Sequence, residues 1–256
     1  MIFNRMIGGG GKATVTYSGN HTTESYTLNG QTYTLYKITG SGTLNVKGKA
    51  KGVKMWLCGG GANGKKGGDG GAGAYCVQLD STDLKGDYAV TVGAAQGATS
   101  FGSLLSVTAV SSRDGGTGGG GTASYSPGKG DGVAKYPFGD TSLYCHCAGG
   151  GAGKGEVITG KESDYNYYVS SIYGYDGGSN GGNGSSTYSE NCAGGTRGGG
   201  NGGNEARGSA ATFYGSGGGG GGCDHYSITV DPGYANRYYD GGSGYQGIVY
   251  LLIPTE

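Results

Sequence analysis

Cysteine and histidine offer the first chemistry to weigh. Cys145-His146-Cys147, with Cys192 and the pair Cys223 and His225 further along, supplies thiolate and imidazole donors of the kind that hold zinc. The spacing argues the other way. Zinc sites usually place two to four residues between paired cysteines, and Cys-x-Cys on a strand sends its thiols to opposite faces. Cys147 and Cys192 both open Cys-Ala-Gly-Gly, and Cys58 opens Cys-Gly-Gly-Gly. The competing expectation is that these are small, buried thiols filling equivalent places at the starts of glycine runs. No metal and no other cofactor is expected.

Catalysis finds little footing. Gly59–Lys65 has the glycines and lysine of a phosphate-binding loop, but Lys66 replaces the magnesium-binding hydroxyl and no helical pattern follows. The same lack of a βαβ unit removes a dinucleotide site. His21, His146 and His225 have no neighbours that would orient them as bases. The chain is not expected to be an enzyme, and no catalytic residues are expected.

Recognition is better supplied. Glu156–Asp176 carries Tyr165, Tyr167, Tyr168, Tyr173 and Tyr175 among serines, glycines and acids. Asp224–Tyr245 carries Tyr234, Arg237, Tyr238 and Tyr239, and Ala206–Tyr214 adds Arg207 and Tyr214. Tyrosine mixed with serine, glycine and asparagine is a recognition composition, since each ring gives wide amphipathic contact for two rotatable bonds. Aromatic faces also suit sugar rings. The bland alternative is that these tyrosines pack the edges of the glycine-rich region. The expected partner is a bacterial surface glycan or protein.

These inserts need a scaffold. Lys12–Tyr17 alternates as a strand. In Glu24–Ile38, Asn29-Gly30 predicts a type I′ hairpin turn that sets Tyr26 opposite Tyr33 and Thr27 opposite Thr32. Gly42–Lys49, Val53–Cys58, Ala74–Leu79, Asp87–Val92 and Ser103–Val110 follow as strands. Val53, Met55 and Leu57 share one face, with Trp56 and Lys54 on the other; Leu105, Val107 and Ala109 share a face of the last strand. The continuous apolar run Gly247–Ile253 predicts a strand buried on both sides, pairing with strands from residues 40–110. No stretch has helical periodicity. The fold expected is all-β, a sandwich-like core without α-helix.

Most of the 65 glycines lie between residues 113 and 247. Ordering each costs about 1–2 kcal/mol, and one isolated polyproline-II-type helix has no internal hydrogen bonds to offset that. A bundle of them does, because bare backbones approach closely and bond to one another. The spacing suits three residues per turn: Gly61, Gly64, Gly67, Gly70 and Gly73 keep it, as do Gly115, Gly118 and Gly121, then Gly178, Gly181 and Gly184, then Gly241, Gly244 and Gly247. The expectation is a packed bundle of polyglycine-II helices closed at both ends by the β core. Collagen is excluded by four prolines and a broken period.

Other classes fall away on composition. Net charge is zero, charged residues are 14%, and no basic patch suggests nucleic acid. No run reaches the roughly 18 apolar residues of a transmembrane helix. Met1–Ile7 is too short and broken for a secretory leader, so the six cysteines are expected to be reduced.

Leu57-Cys-Gly-Gly-Gly-Ala-Asn-Gly64, Gly70-Gly-Ala-Gly-Ala-Tyr75, Tyr88-Ala-Val-Thr-Val-Gly93, Thr99-Ser-Phe-Gly102 and the closing Gly247-Ile-Val-Tyr-Leu251 together resemble the glycine-rich domain of bacteriophage tail proteins. The opening Met1-Ile-Phe-Asn-Arg before Gly8–Gly11 is similar to starts of prophage tail proteins. The likeness covers roughly residues 40–253. A related architecture occurs in tail-fibre-tip adhesins of T-even-like phages, and a more distant one in some animal receptor tyrosine kinases. The resemblance implies a β core with a packed polyglycine layer, loops that touch a host receptor, and a place in the virion tail beside other tail subunits. A bacterial cell surface is the alternative location. Residues 1–50 are then a tail-attachment or oligomerisation segment, a homotrimer being one form. Residues 51–256 are the glycine-rich domain, with its β core in 51–112 and 224–256.

Overall fold

The computed structural model of the chain describes residues 13–111, 120, 123, 135–143, 147–153, 155–159, 168–172, 198–227 and 234–255. Among them the only helical segment is a single 3-10 turn, Pro137–Gly139.

The larger sheet has eight strands. Its chain order is β1 (Thr14–Tyr17), β2 (His21–Leu28), β3 (Gln31–Ile38), β4 (Gly42–Cys58), β5 (Cys76–Thr91), β6 (Thr99–Phe101), β7 (Leu105–Val107) and β12 (Ile248–Pro254). Its spatial order is β2-β3-β12-β4-β5-β6-β7, with β1 paired to the first half of β4. The β2–β3 hairpin turns at Asn29 and Gly30, both at positive φ (50° and 80°), as a type I′ turn requires. Tyr26 faces Tyr33 and Thr27 faces Thr32.

β12 lies inside the sheet, antiparallel to β3 on one side and β4 on the other. The expectation placed its partners within residues 40–110, and β3 is the addition. Both faces of β12 are buried, which is why it reads as an unbroken apolar run. Val249, Leu251 and Ile253 join a core with Leu44, Val46, Val53, Met55, Leu57 and Phe101. Ile248, Tyr250 and Leu252 join a second cluster with Tyr33, Leu35 and Trp56.

Two expected pairs of strands fuse into single long ones. Gly42–Lys49 and Val53–Cys58 form one bent strand, β4, which pairs along its length with β5 through three shifts of register. Gly48 and Gly52 take positive φ in that bend (87° and 64°), a conformation that costs glycine nothing. Glycine marked a break in the sequence, but here it makes a bulge. The division expected at residue 50 therefore falls inside β4, and the N-terminal hairpin is part of the main sheet. Thr99–Phe101 is a strand the pattern did not announce. The last expected strand shortens to Leu105–Val107, leaving Ala109 exposed outside it.

A lattice of glycine runs adjoins this sheet. Run 215–222 is central and fully buried. Gly218 donates its amide to Ala62, and Gly217 donates to Ala148. Gly71 donates to Gly218, and Gly200 to Gly217. Gly219 donates to Ser209, and Gly242 to Gly219. These bonds measure 2.7–2.9 Å and reach six runs: 59–64, 68–74, 147–153, 198–203, 206–212 and 239–247. The six also bond to each other in a closed ring, through Ala62 to Ala72, Gly150 to Gly71, Gly151 to Gly200, Ser209 to Asn201, Gly208 to Asp240 and Gly61 to Tyr245.

Where two runs share more than one bond, the bonded pair advances by three residues. Gly59, Ala62 and Lys65 donate to Tyr75, Ala72 and Asp69; Gly61, Gly64 and Gly67 donate to Tyr245, Gly242 and Tyr239. The registers make 59–64, 147–153 and 198–203 parallel to the centre and the other three antiparallel. Closeness explains the residue type. A Cβ on Gly61 or Gly64 would overlap the carbonyl of Ser216 or Gly219, and one on Gly70 or Gly73 that of Gly150 or Cys147. The row from Gly61 to Gly73 is thus two antiparallel runs that meet at a turn. Gly241, Gly244 and Gly247 abut the carbonyls of Gly64, Gly61 and Cys58 in step. The rows at Gly115–Gly121 and Gly178–Gly184 lie outside the described residues.

Candidate functional site

The Tyr-rich inserts, read from sequence as loops, contain strands. Gly155–Thr159 (β8), Tyr168–Ile172 (β9), Cys223–Ser227 (β10) and Tyr234–Tyr238 (β11) make a second sheet in the order β11-β10-β8-β9. β8 pairs antiparallel with β9, and β10 with β11. The two hairpins join through a parallel contact of β10 with β8, at Cys223 and Gly155. Both hairpins therefore point the same way. Each is rooted in the lattice: run 147–153 precedes β8, and run 215–222 flows directly into β10. Neither Tyr168-Val-Ser-Ser-Ile172 nor Cys223-Asp-His-Tyr-Ser227 alternates apolar with polar residues, so the period-two signal of a strand is missing from both.

The candidate residues fall into three groups. Tyr168 in β9 lies in register with Thr159, and Tyr234 in β11 with Ser227. Arg237 and Tyr238 complete β11 opposite Asp224 and Cys223. Arg237 is exposed, and Tyr238 is 45% exposed. The Tyr238 ring lies over Gly67, where a Cβ would collide with it. Tyr239 begins run 239–247; its amide donates to Gly222 at 2.9 Å and its carbonyl accepts from Gly67 at 2.8 Å. Its backbone is thus a lattice component.

Arg207 and Tyr214 bound run 206–212. Arg207 reaches Asp240 at 3.5 Å across two neighbouring runs, with both side chains well exposed. Tyr214 meets Tyr245 edge-on, ring centroids 5.3 Å apart and planes at 76°. Burial, then the neighbouring Tyr245 phenol, raises the Tyr214 pKa. Tyr214 is half-buried against the apolar cluster beneath β12, whereas Tyr245 is 37% exposed. Tyr165, Tyr167, Tyr173 and Tyr175 lie outside the described residues.

Of the candidate thiol and imidazole ligands, Cys147, Cys223 and His225 are among the described residues. Cys223 is buried at the start of β10, and desolvation, then Glu205 and Asp224, pushes its thiol up to about 11. His225 is in register with Asn236 on β11. Cys147 is buried at the head of run 147–153, against Cys58. Cys145, His146 and Cys192 lie outside the described residues. Among the described residues no three or more His, Cys, Asp or Glu side chains gather as a metal site would need.

No protein-family model, curated protein or solved structure matches this chain.

Proposed function

We propose that the chain is a receptor-binding protein of a bacteriophage tail, in which a bundle of polyglycine-II-type helices holds Tyr-rich hairpins against a bacterial surface glycan or protein. The observation that carries the reading is the side-by-side placement of β8–β9 and β10–β11, both rooted in one hydrogen-bonded lattice and pointing in one direction. Two inserts separated in sequence thereby become neighbours. The three-residue advance of the lattice bonds suits polyproline-II geometry. A support that is ordered before binding lowers the entropy cost of each contact. The larger sheet, which carries β1–β7 and β12, is the natural side for other tail subunits. Assembly as a homotrimer would multiply a weak single-site affinity.

The test is a pull-down of host cell-wall fractions with purified protein, beside a variant in which Tyr165, Tyr167, Tyr168, Tyr173 and Tyr175 are serine. Binding by the parent and loss in the folded variant supports the reading; equal binding by both removes these tyrosines from it. A second reading, a structural tail or surface component with no receptor site, is favoured by Tyr238 over Gly67 and by Tyr214 on Tyr245, where rings serve the lattice itself. That reading requires the parent protein to show no affinity for any host envelope fraction.

A further inference from the structure

We propose that Cys58 and Cys147 are a disulfide-forming pair that fastens the glycine lattice to the main sheet. Their Sγ atoms lie 3.1 Å apart, between residues 89 positions apart in the chain. Both residues are fully buried. A disulfide needs the sulfurs at about 2.05 Å, so an approach of about 1 Å completes it.

The pair sits at a junction of two ordered elements. Cys58 ends β4, in register with Ile248 of β12. Cys147 begins run 147–153, and its amide donates to Tyr214 at 3.3 Å. The backbone of Gly215 walls the site: a Cβ there would overlap the Cys58 sulfur and come within 3.2 Å of that of Cys147.

A second observation concerns residue choice. Cys147 holds φ at 65°, a region that disfavours side chains other than Asn, Asp or His. Glycine would adopt it freely, and glycine fills most of the run that follows. A cysteine at a position suited to glycine, with its sulfur against another cysteine, points to use of the thiol.

The oxidant is a low-molecular-weight disulfide such as oxidised glutathione. One cysteine thiolate attacks it, forming a mixed disulfide and releasing one glutathione thiolate. The second cysteine thiolate then attacks the protein sulfur of that mixed disulfide and expels the second glutathione. Two protein thiols are oxidised, one glutathione disulfide is reduced to two thiols, and the two cysteine protons end on glutathione. Because both sulfurs are buried in the finished fold, the exchange takes place while the lattice is docking onto the sheet.

The full chain is refolded with oxidised glutathione, alkylated in denaturant and digested without reduction for mass spectrometry. The expected product is one peptide pair joining Cys58 to Cys147, lighter by two hydrogens and lost on treatment with dithiothreitol. Alkylation of both cysteines, or a link from Cys58 to its cross-strand partner Cys76, overturns the proposal. A parallel measurement uses the urea midpoint. Oxidation should raise it in the parent protein, with reversal by dithiothreitol, and leave Cys58→Ala unmoved; an equal shift in that variant overturns the proposal as well.

Discussion

Gly218 lies so close to the carbonyl of Gly242 that a Cβ built on it would overlap that group. Both are backbone atoms of a closed lattice, so neither yields by a side-chain rotation. An alanine at an unstrained glycine position ordinarily stabilises, by about 0.4–1 kcal/mol, through the unfolded chain. Here the sign reverses. Gly218→Ala should cost about 3 kcal/mol or more, at the upper end of overpacking penalties. Ser243→Ala, on an exposed position of run 239–247, should stay within about 0.5 kcal/mol. Urea unfolding of the two variants gives the comparison, and equal midpoints would remove the lattice from the account of stability.

Leu252 is fully buried between β3 and β4, in register with Leu35 on one side and Lys54 on the other. Leu252→Ala should cost about 2–5 kcal/mol, the range for cavities that cannot collapse. Calorimetry showing a loss under about 1 kcal/mol would place β12 at an edge, contrary to its observed position.

Tyr26 of β2 donates its hydroxyl to the Asp140 carboxylate, and Asp140 also accepts from the Ser142 amide at 2.8 Å. The Tyr26 bond, then the Ser142 bonds, hold the Asp140 pKa below its ordinary 3.8. A depressed carboxyl pKa means the folded state holds the proton more weakly than the unfolded chain. Its contribution is complete above the unfolded value and falls away as pH drops through the folded one. Stability should therefore decline below about pH 4, with a shallower decline in Tyr26→Phe. Identical pH profiles from denaturant titration would exclude the contact.

Arg207 and Asp240 pair with side chains 77% and 59% exposed, and such surface pairs contribute about 0–1 kcal/mol. Arg207→Ala should leave the urea midpoint nearly unchanged. Any fall in binding to host envelope fractions by this variant is then assigned to a lost contact. A large loss of stability would show instead that the pair clamps runs 206–212 and 239–247 together.

The sequence made the Asn29-Gly30 hairpin, the opposed faces of Val53 and Trp56, and the two-sided burial of β12 legible, because turn chemistry and side-chain alternation are local properties. The period of three at Gly61–Gly64 and Gly241–Gly247 was also visible, since every third residue faces a carbonyl. The partner of each run was not visible. Glycine carries no side chain to encode which neighbour it meets, so the sequence offers no register. Run 215–222 alone hints at its place, because a run enclosed on six sides can hold almost nothing but glycine. The second sheet was hidden by serine and glycine around β8–β11, where apolar alternation is weak. The meeting of Cys58 with Cys147 follows from the docking of 147–153 and is invisible in either motif.

Lattice runs continue into strands at both ends: 59–64 leaves β4, 68–74 enters β5 and 239–247 enters β12, while 215–222 enters β10 and 239–247 leaves β11. Tension applied between the two sheets is therefore directed along the runs. It loads the bonds between them in shear, so that they resist together, whereas a pull across the runs would open them one at a time. The bundle is thus mechanically strong along the line that joins its two sheets.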